Sequence, residues 1–455
     1  MAIDIPARLY IEKLFKDSRS IARALALLPG PVKTTALHAM AERVASDHDT
    51  ILAANAKDVE VVGKSFSEGA AKERMKAAVA HVRVTTEQIH EMVAQLHQIA
   101  ELPDPVGLVV SRQERPDGLC VSRVKVPIGV LGVLSERSPL TMVESIALGL
   151  KSGNRCILRG ASEWRHTHQA IDSGLREAAL KSGVPAGAWA LIDRPDKDVA
   201  LELMRAVKGV DALIVRGGAG LRKAVAEQAK VPVLCDDGGL THLYVDDDTD
   251  IPMAQNLVIN SKVQQSGASN SLDTLLVQQV IGRQLLPPLI NRLLDEFKVE
   301  VHACPKTVAL MGQMAMTGHT AIVPATETDW QTQFAGPTVA IKMVEGLDEA
   351  LAHIAAYRPC LTAVIATDRY ESAMRFTREV DAAAVLVNAS TRLHAGESFG
   401  MGCDVGLSIA KLHAKGPIGL EQLTCEKYVA FGSGQLRSPH PVPETYFDAI
   451  MLKRP

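Results

Sequence analysis

The sequence predicts an α/β protein with a doubly wound parallel sheet, followed by a second α/β domain. Short apolar segments of β type alternate with helical segments from Val126 to Cys235, and a second series of this kind begins at His242. Such alternation produces parallel sheets covered by helices on both faces. The length of 455 residues exceeds what one hydrophobic core fills and predicts two or three domains.

Composition and charge argue against several classes of function. Lys and Arg number 49 against 52 Asp and Glu, so neither nucleic acid nor an anionic membrane is an expected partner. The first residues lack the pattern of a signal peptide, and no apolar run approaches the roughly 18 residues of a membrane helix. The seven cysteines are scattered and never in CxxC spacing, which predicts reduced thiols and no metal site. We therefore expect a cytoplasmic protein.

The N-terminal part is predicted to be helical. From Pro6 to about Ile99, apolar residues recur at helical spacing among Ala, Leu, Lys and Glu. Residues 102–120 contain the turn signals PDPVG and RPDG on either side of a short apolar run. This pattern predicts a β-hairpin.

The first α/β series is interpreted as a Rossmann-like domain. Its predicted strands are VPIGVLGVL (126–134), CILRG (156–160), AWALID, ALIVRG (212–217) and PVLC (232–235), with helices over 142–150, 163–181, 197–208 and 221–230. The second series is predicted to run through HLYVD, DTLLV, TVALM, TVAIKMV, TAVIAT and AAVLVN, with helices over 251–262 and 285–297. The glycine-rich tail after Asn388 is expected to pack across a subunit boundary.

Two candidate sites follow strands of the first series. Arg159, Ser162 and Glu163 would lie at the carboxyl edge of the sheet, where Rossmann-type folds bind nucleotides, and Arg159 would meet a ribose or its 2′-phosphate. The alternative is a plain strand-to-helix turn with Ser162 as the N-cap. The turn RGGAGL, with Arg216, Gly217, Gly218 and Gly220, could hold an anion on backbone N–H groups, or use its glycines for steric reasons only.

Two further candidates lie in the second series. The loop KVQQSGASNS exposes Ser269, but a serine without a base is a poor nucleophile, and an ordinary polar loop is the alternative. The stretch NASTRLHAGESFGMG could hold a carboxylate or phosphate through Arg392, or serve only as a connection.

Several long segments carry a resemblance across nearly the whole chain. They are VPIGVLGVL, ALGLKSGNRCILRGASE, ALIVRGGAGL, HLYVDDDTDIPMAQNLVINSK, REVDAAAVLVNASTR and GLSIAKLHAKGPIGLEQLTCEKYVAFGSGQLR. In this order they resemble the γ-glutamyl phosphate reductase (glutamate-5-semialdehyde dehydrogenase) family. The resemblance implies the aldehyde-dehydrogenase fold, a homo-oligomer, and NADPH-dependent reduction of L-glutamyl 5-phosphate to the semialdehyde in proline biosynthesis.

The resemblance also implies a division into domains. Residues 1–105 and 119–241 would form the NAD(P)-binding domain, and residues 242–390 the catalytic domain. Residues 106–118 and 391–455 would form the hairpin and C-terminal segment of an oligomerisation element.

In that family a cysteine thiolate attacks the acyl phosphate. The matching position here is Ser269, followed by Asn270, which could help to position an oxyanion. Departures elsewhere include Leu361 in place of a histidine, and Gln333 in place of a glutamate near the nicotinamide ribose. The positions implied for NADP(H) are Arg159, Ser162, Glu163, Arg216, Gly217, Gly218, Gly220 and Gln333. Those implied for the substrate are Glu136, Asn388, Ser390, Thr391 and Arg392.

Three functions remain open at this point. The first keeps the family reaction, with Ser269 as an engineered or weak substitute for cysteine. The second is an enzyme that passes an activated acyl group to another acceptor without reducing it. The third is a degenerate scaffold that stabilises or regulates a partner such as a glutamate kinase.

Overall fold

The computed structural model describes residues 6–66, 72–236, 238–313 and 322–435. Its N-terminal part is helical, as predicted from the apolar spacing. The helices are α1 (Ala7–Phe15), α2 (Ser18–Ala26), α3 (Gly30–Ser46), α4 (His48–Lys64), α5 (Lys72–Val82) and α6 (Thr86–Glu101). A capping box starts α6, because the Thr85 hydroxyl accepts from the Gln88 amide at 3.3 Å and the Gln88 side chain accepts from the Thr85 amide at 3.1 Å.

The predicted hairpin is confirmed as β1 (Val109–Glu114) paired antiparallel with β2 (Cys120–Pro127). The single strand predicted over 126–134 is wrong, since β3 (Val130–Ser135) is a separate strand in another sheet. Gly129 has a φ of 131° at the break, a conformation that favours glycine. The Asp211 carboxylate accepts from the Val130 amide at 2.8 Å just beyond it.

The first parallel sheet is built from β3, β4 (Arg155–Arg159), β5 (Trp189–Leu191), β6 (Ala212–Arg216) and β7 (Val233–Cys235), in the order β5-β4-β3-β6-β7. Its helices are α7 (Pro139–Lys151), α8 (Arg165–Lys181), α9 (Lys197–Met204) and α10 (Ala219–Gln228). All six residues of β3 are buried. The strand therefore shows a continuous apolar run and not the alternating pattern of a half-exposed strand. Strand order reverses at β3, which places a crevice at the carboxyl ends of β3, β4 and β6.

The second parallel sheet has the order β11-β10-β12-β9-β8-β13-β14. Its strands are β8 (Leu240–Val245), β9 (Thr274–Gln278), β10 (Glu300–Ala303), β11 (Ile322–Pro324), β12 (Thr338–Val344), β13 (Cys360–Ala366) and β14 (Ala382–Val387). Its helices are α11 (Ile251–Val263), α12 (Gln279–Asn291), α13 (Pro305–Gln313), α14 (Leu347–Ala356) and α15 (Tyr370–Glu379).

The predicted strand TVALM is wrong, because this segment lies in α13. Pro305 begins that helix, where its fixed φ and missing N–H cost nothing. The strand in this part of the chain is β10, which precedes the proline.

The last described strands are β15 (Leu407–Ser408), β16 (Gly416–Pro417) and β17 (Thr424–Phe431). β17 pairs antiparallel with β2, so β1, β2 and β17 form a three-stranded sheet. The end of the tail that was expected to cross a subunit boundary, residues 436–455, lies outside the described residues. Among the described helices, none is both long and apolar enough to span a bilayer.

Candidate active site

A cavity of about 610 Å³ lies between the two parallel sheets and α6. Arg216 enters it from the end of β6, and Ser269 and Asn270 enter from the turn before β9. Arg392 also lines it, together with Glu91, Gln95, Gln98, Glu144, Asp236, Gln265, Glu397, Cys403 and Asp404. The carboxyl edge of the first sheet therefore faces the amino edge of the second across one shared space.

Ser269 is half-buried in the turn between α11 and β9. Its backbone carbonyl accepts from Gln333 Nε2 at 3.2 Å and from Thr241 Oγ1 at 3.4 Å, so the loop before β12 and strand β8 hold the turn. Within the described part of the chain, the Ser269 hydroxyl has no histidine or carboxylate as a hydrogen-bond partner. The hydroxyl is therefore not activated by a neighbouring base in this arrangement.

Asn270 is buried beside Ser269, with 4% of its surface exposed. Its Nδ2 donates to the His394 carbonyl at 2.8 Å and lies 3.5 Å from the Arg392 carbonyl. Its Oδ1 is buried and has no hydrogen-bond partner among the described residues. The free atom is an acceptor, which repels an oxyanion, so the oxyanion role expected for Asn270 does not fit this geometry.

Arg216 lies in the reactive cavity, whereas the sequence placed it with the nucleotide. Its Nη1 donates to Glu144 Oε2 at 2.5 Å, and its Nε is buried without a partner in the described regions. Burial raises the pKa of Glu144, and the Arg216 guanidinium opposes that shift. Arg216 is thus the main cation that faces Ser269 from the first sheet.

The glycines of the RGGAGL turn have different roles. The Gly218 amide donates to Glu136 Oε2 at 3.1 Å, and a Cβ on Gly217 would lie 2.7 Å from the same oxygen. Glu136, expected to bind substrate, therefore occupies the backbone N–H at the start of α10. Gly220 has nothing within 4 Å of an added Cβ, so no close approach requires glycine there.

A small pocket of about 30 Å³ lies at the end of β4 and includes Ser162 in its lining. Ser162 is exposed and begins a 3₁₀ turn (Ser162–Trp164), while α8 starts at Arg165, so the alternative of Ser162 as the N-cap of that helix is wrong. Arg159 Nη2 donates to the Pro195 carbonyl at 2.7 Å, and burial lowers the pKa of Arg159. Glu163 is half-buried in the same turn.

The predicted substrate loop divides into structural residues and one cavity residue. Asn388, with a φ of 51°, bonds both backbone groups of Thr367 at 2.8 and 2.9 Å and does not line the cavity. Ser390 contacts the Ser261 hydroxyl at 3.2 Å, and the same hydroxyl accepts from the amide of the buried Thr391 at 3.1 Å.

Arg392 is the member of that loop that faces the cavity. Its Nε donates to Gln264 Oε1 at 2.7 Å and its Nη2 to Gln265 Oε1 at 2.8 Å. Both partners are neutral, so its positive charge remains available to an anion.

Of the two positions noted as departures from the family, Gln333 contacts Ser269 and Leu361 lies beside Gly239. Gln333 donates to the Ser269 and Gly239 carbonyls, the latter at 3.4 Å. Leu361 is fully buried on β13, and its backbone nitrogen would lie 3.0 Å from a Cβ on Gly239. Gln333 therefore helps to hold the turn that carries Ser269, and Leu361 packs beside Gly239.

Sequence reasoning missed a buried ionisable pair, Lys262 and Asp273, at the two ends of the Ser269 turn. Lys262 Nζ donates to the Leu272 carbonyl at 3.0 Å, and Asp273 accepts from the Thr241 and Phe334 amides at 3.0 and 2.9 Å. Burial raises the pKa of Asp273 and lowers that of Lys262. A lysine and an acid spaced around a small-residue loop were the only available signal. Glu144 and Asp404 were missed too, because nothing local marks them.

At the opposite edge of the catalytic sheet, Asp246, Asp247 and Asp248 place carboxylate oxygens within 4.8 Å of one another. Arg369 lies against them, 3.1 Å from Asp247 and 3.6 Å from Asp248. Because the Arg369 guanidinium already offsets the negative charge of these aspartates, we assign no metal ion to them.

Comparison with known proteins agrees with this architecture. The aldehyde dehydrogenase family model matches residues 8–315. A γ-glutamyl phosphate reductase of Heliobacterium modesticaldum is 41% identical over 422 residues, covering 93% of this chain and 97% of the relative. One of Moorella thermoacetica is 42% identical over 420 residues, covering 92% and 97%.

Solved structures give the same result. The crystal structure of γ-glutamyl phosphate reductase from Thermotoga maritima shares 35% identity, covers 94% of this chain and all of its own, and has a TM-score of 0.87. A glyceraldehyde-3-phosphate dehydrogenase of Methanocaldococcus jannaschii, solved with NADP, is 15% identical with a TM-score of 0.65 and supports the fold alone. The predicted aldehyde-dehydrogenase-like fold is confirmed, and the chain belongs to the γ-glutamyl phosphate reductases of the aldehyde dehydrogenase family.

Proposed function

We propose that this protein reduces an acyl phosphate of the L-glutamyl 5-phosphate type to the semialdehyde in proline biosynthesis, using NADP(H), with Ser269 at the nucleophile position. The observation that carries the proposal is the shared cavity, in which Ser269 faces Arg216 at the carboxyl edge of the first sheet. Relatives named γ-glutamyl phosphate reductase support the same assignment.

The first sheet offers groups that suit an anionic dinucleotide. The Nε atom of Arg159 is a buried donor with no partner in the residues described, at the end of β4. Gly160 lets His168 pack against the end of β4, because a Cβ would lie 2.3 Å from His168 Cε1. The exposed Ser162 hydroxyl and Glu163 are the proposed contacts to the ribose. NADP(H), when bound, supplies hydride.

Ser269 would open the reaction by bonding to the acyl carbon. A C–O bond forms, the bond to the bridging phosphate oxygen breaks, phosphate leaves and the hydroxyl proton passes to solvent. Arg392 and Arg216 would hold the anionic groups in place. Because no base activates Ser269, and because a thiol ionises far more readily than a hydroxyl, we expect a slower enzyme than one with cysteine at this position.

The test is phosphate-dependent oxidation of glutamate 5-semialdehyde with NADP⁺, followed by NADPH absorbance. Ser269→Cys should exceed the wild type by at least about 100-fold, because a few per cent of a thiol is thiolate at neutral pH. Ser269→Ala is the matched control and should fall below the wild type. A cysteine variant no faster than the alanine variant would remove Ser269 from the nucleophile position.

A second candidate is transfer of the acyl group to an amine without reduction. The observation that favours it is the acidic lining of the same cavity, which attracts a cation. Formation of a γ-glutamyl amide from an amine, without oxidation of NADPH, would support this function in place of the first.

The quaternary structure, location and protein partner are further proposals. The six residues of β1 are all exposed, and an exposed edge strand of this kind can pair with another chain, which favours a homo-oligomer. We also propose a cytoplasmic location and contact with a glutamate kinase, which would hand over its unstable product. Light scattering of the purified protein, with and without the kinase, tests the oligomer and the complex together.

A further inference from the structure

The cavity around Ser269 carries more negative than positive charge. Five carboxylates line it, from Glu91, Glu144, Asp236, Glu397 and Asp404, whereas its only lining cations among the described residues are Arg216 and Arg392. An acyl phosphate and a dinucleotide are both anions. A cavity built only for these two ligands would therefore be expected to show the opposite balance.

Two of these carboxylates are shielded enough from water for burial to raise their pKa. Glu144 is 8% exposed, and burial is the main cause that raises its pKa, while Asp404 adds repulsion. Asp404 accepts from the Gly396 and Gly406 amides at 2.8 and 2.9 Å and is not ion-paired within the described chain. Arg216 lies within hydrogen-bond distance of Glu144 only, so Asp404 has no cationic partner among the described residues.

Asn270 supplies an independent observation. It is 4% exposed, it lines the same cavity, and its Oδ1 has no partner in the described regions. Gln95 Oε1, on the α6 side of the cavity, is also buried and unpartnered there. Unpaired buried acceptors cost free energy unless a ligand donates to them, so both atoms call for N–H or O–H donors.

We propose that this end of the cavity is an ammonium subsite, in which Glu144, Asp404 and Asn270 Oδ1 receive the protonated amine of a ligand. The ligand's anionic groups would meet Arg216 and Arg392. The inference deepens the proposed function, because it concerns the same cavity. The amine has two possible sources: the α-ammonium group of the acyl donor, or a separate amine that accepts the acyl group.

Calorimetric titration of the full-length protein, without cofactor, tests the subsite with three probes. L-Glutamate carries the ammonium group, glutarate lacks it, and ethylamine carries it alone. We expect L-glutamate to bind at least about tenfold more tightly than glutarate, the usual worth of a charged hydrogen bond. Binding of ethylamine, alone or with glutarate present, would identify a separate amine as the occupant.

Equal binding of L-glutamate and glutarate, together with no binding of ethylamine, would overturn the proposal. The assay involves no turnover and no NADP(H). A protein that fails as a reductase can therefore still pass this test, and a working reductase can fail it.

The variant Glu144→Gln distinguishes a role in binding the ammonium group from a purely structural role. The variant should lose at least about tenfold in affinity for L-glutamate and gain or keep affinity for glutarate, since it removes an anion and releases Arg216. Glu60→Gln is the control, because Glu60 is exposed on α4 and does not line the cavity, and it should change both affinities by less than about twofold. Parallel loss of both ligands in Glu144→Gln would show a structural role only, and the wild-type titration stands if that variant does not fold.

Discussion

The proposed nucleotide-binding edge and the cavity around Ser269, the proposed reactive cavity, differ in which of their polar groups the chain itself satisfies. At the proposed nucleotide-binding edge, Glu136 occupies the Gly218 amide and Arg159 donates to the carbonyl of Pro195, which lines a pocket of about 30 Å³. The reactive cavity measures about 610 Å³ and contains the unpaired Asn270 Oδ1. Among the described residues, the first region leaves one buried donor, Arg159 Nε, without a partner, whereas the second leaves two buried acceptors, Asn270 Oδ1 and Gln95 Oε1.

This difference indicates where ligand binding draws its free energy. A buried polar group without a partner costs about 1–3 kcal/mol, which a folded chain tolerates where a ligand later completes the bond. We infer that the substrate gains most from the reactive cavity. The cofactor instead has to compete with Glu136 for the backbone amide at the start of α10.

Lowering the pH should have the largest effect on stability, and it should destabilise the two regions to different degrees. Burial lowers the pKa of His242 and of His394 to about 4 and that of His353 to about 3, and all three lie in or against the second parallel sheet. Among the described histidines whose pKa burial lowers in this way, only His168, with a pKa of about 4, lies beside the first parallel sheet, on α8.

Because the unfolded imidazole takes up its proton first, stability should fall as pH drops below about 6.5, by up to about 3 kcal/mol per histidine near pH 4. Hydrogen exchange at pH 7 and pH 5 measures this by region. Protection factors, which correct for the slower intrinsic exchange at pH 5, should fall more in β8, β13 and α14 than in β4 and α8. A uniform fall in the protection factors would contradict the comparison.

Arg216→Met should be the next largest effect. The substitution leaves Glu144 buried beside Asp404 without its cation, which should cost about 2–4 kcal/mol in the free energy of unfolding. Urea denaturation measures it. Arg8→Met, which removes an exposed pair with Glu12, is the control and should leave the midpoint unchanged.

Gly160→Ala tests the packing of the nucleotide-binding edge. The added Cβ would lie 2.3 Å from His168 Cε1, so we expect a loss of about 1–3 kcal/mol in stability. Gly220→Ala is the matched control, since open space surrounds that Cβ in α10 and the change should be neutral or stabilising by about 0.5–1 kcal/mol. Similar losses in both variants would argue against this reading of the two turns.

Glu136→Gln should have the smallest effect, and it acts on the cofactor. Removing the carboxylate from the Gly218 amide should tighten NADPH binding by about threefold, the scale of a charge at a helix N-terminus. Fluorescence titration of NADPH measures the change. Weaker binding in the variant would mean that Glu136 itself holds the cofactor.

The sequence predicted the architecture well where the signal was local. Buried strands such as β3, β4 and β6 are continuous apolar runs, and the capping box at Thr85 starts a helix where the apolar spacing places one. The errors arose where a single dihedral or residue decided the outcome. Gly129 splits one apolar run into two strands, and Pro305 starts a helix in a segment of β-type composition.

The site was less predictable, because its contacts join distant parts of the chain. Asn270 bonds a carbonyl 124 residues away, and Arg216 bonds a carboxylate 72 residues away. No local pattern encodes such pairs. Ser269 was singled out by its loop and by family resemblance, whereas Glu144 and Asp404 became visible only through the fold.

Isotope transfer tests the central claim, that Ser269 lies where an acyl group and hydride meet. The wild-type protein would be supplied with L-glutamate, ATP, a glutamate kinase and NADPH deuterated at the transferred position, and the product examined by mass spectrometry. The account predicts deuterium at the former acyl carbon, absent when Ser269→Ala replaces the wild type. Unlabelled product, or a γ-glutamyl amide with NADPH unconsumed, would contradict it.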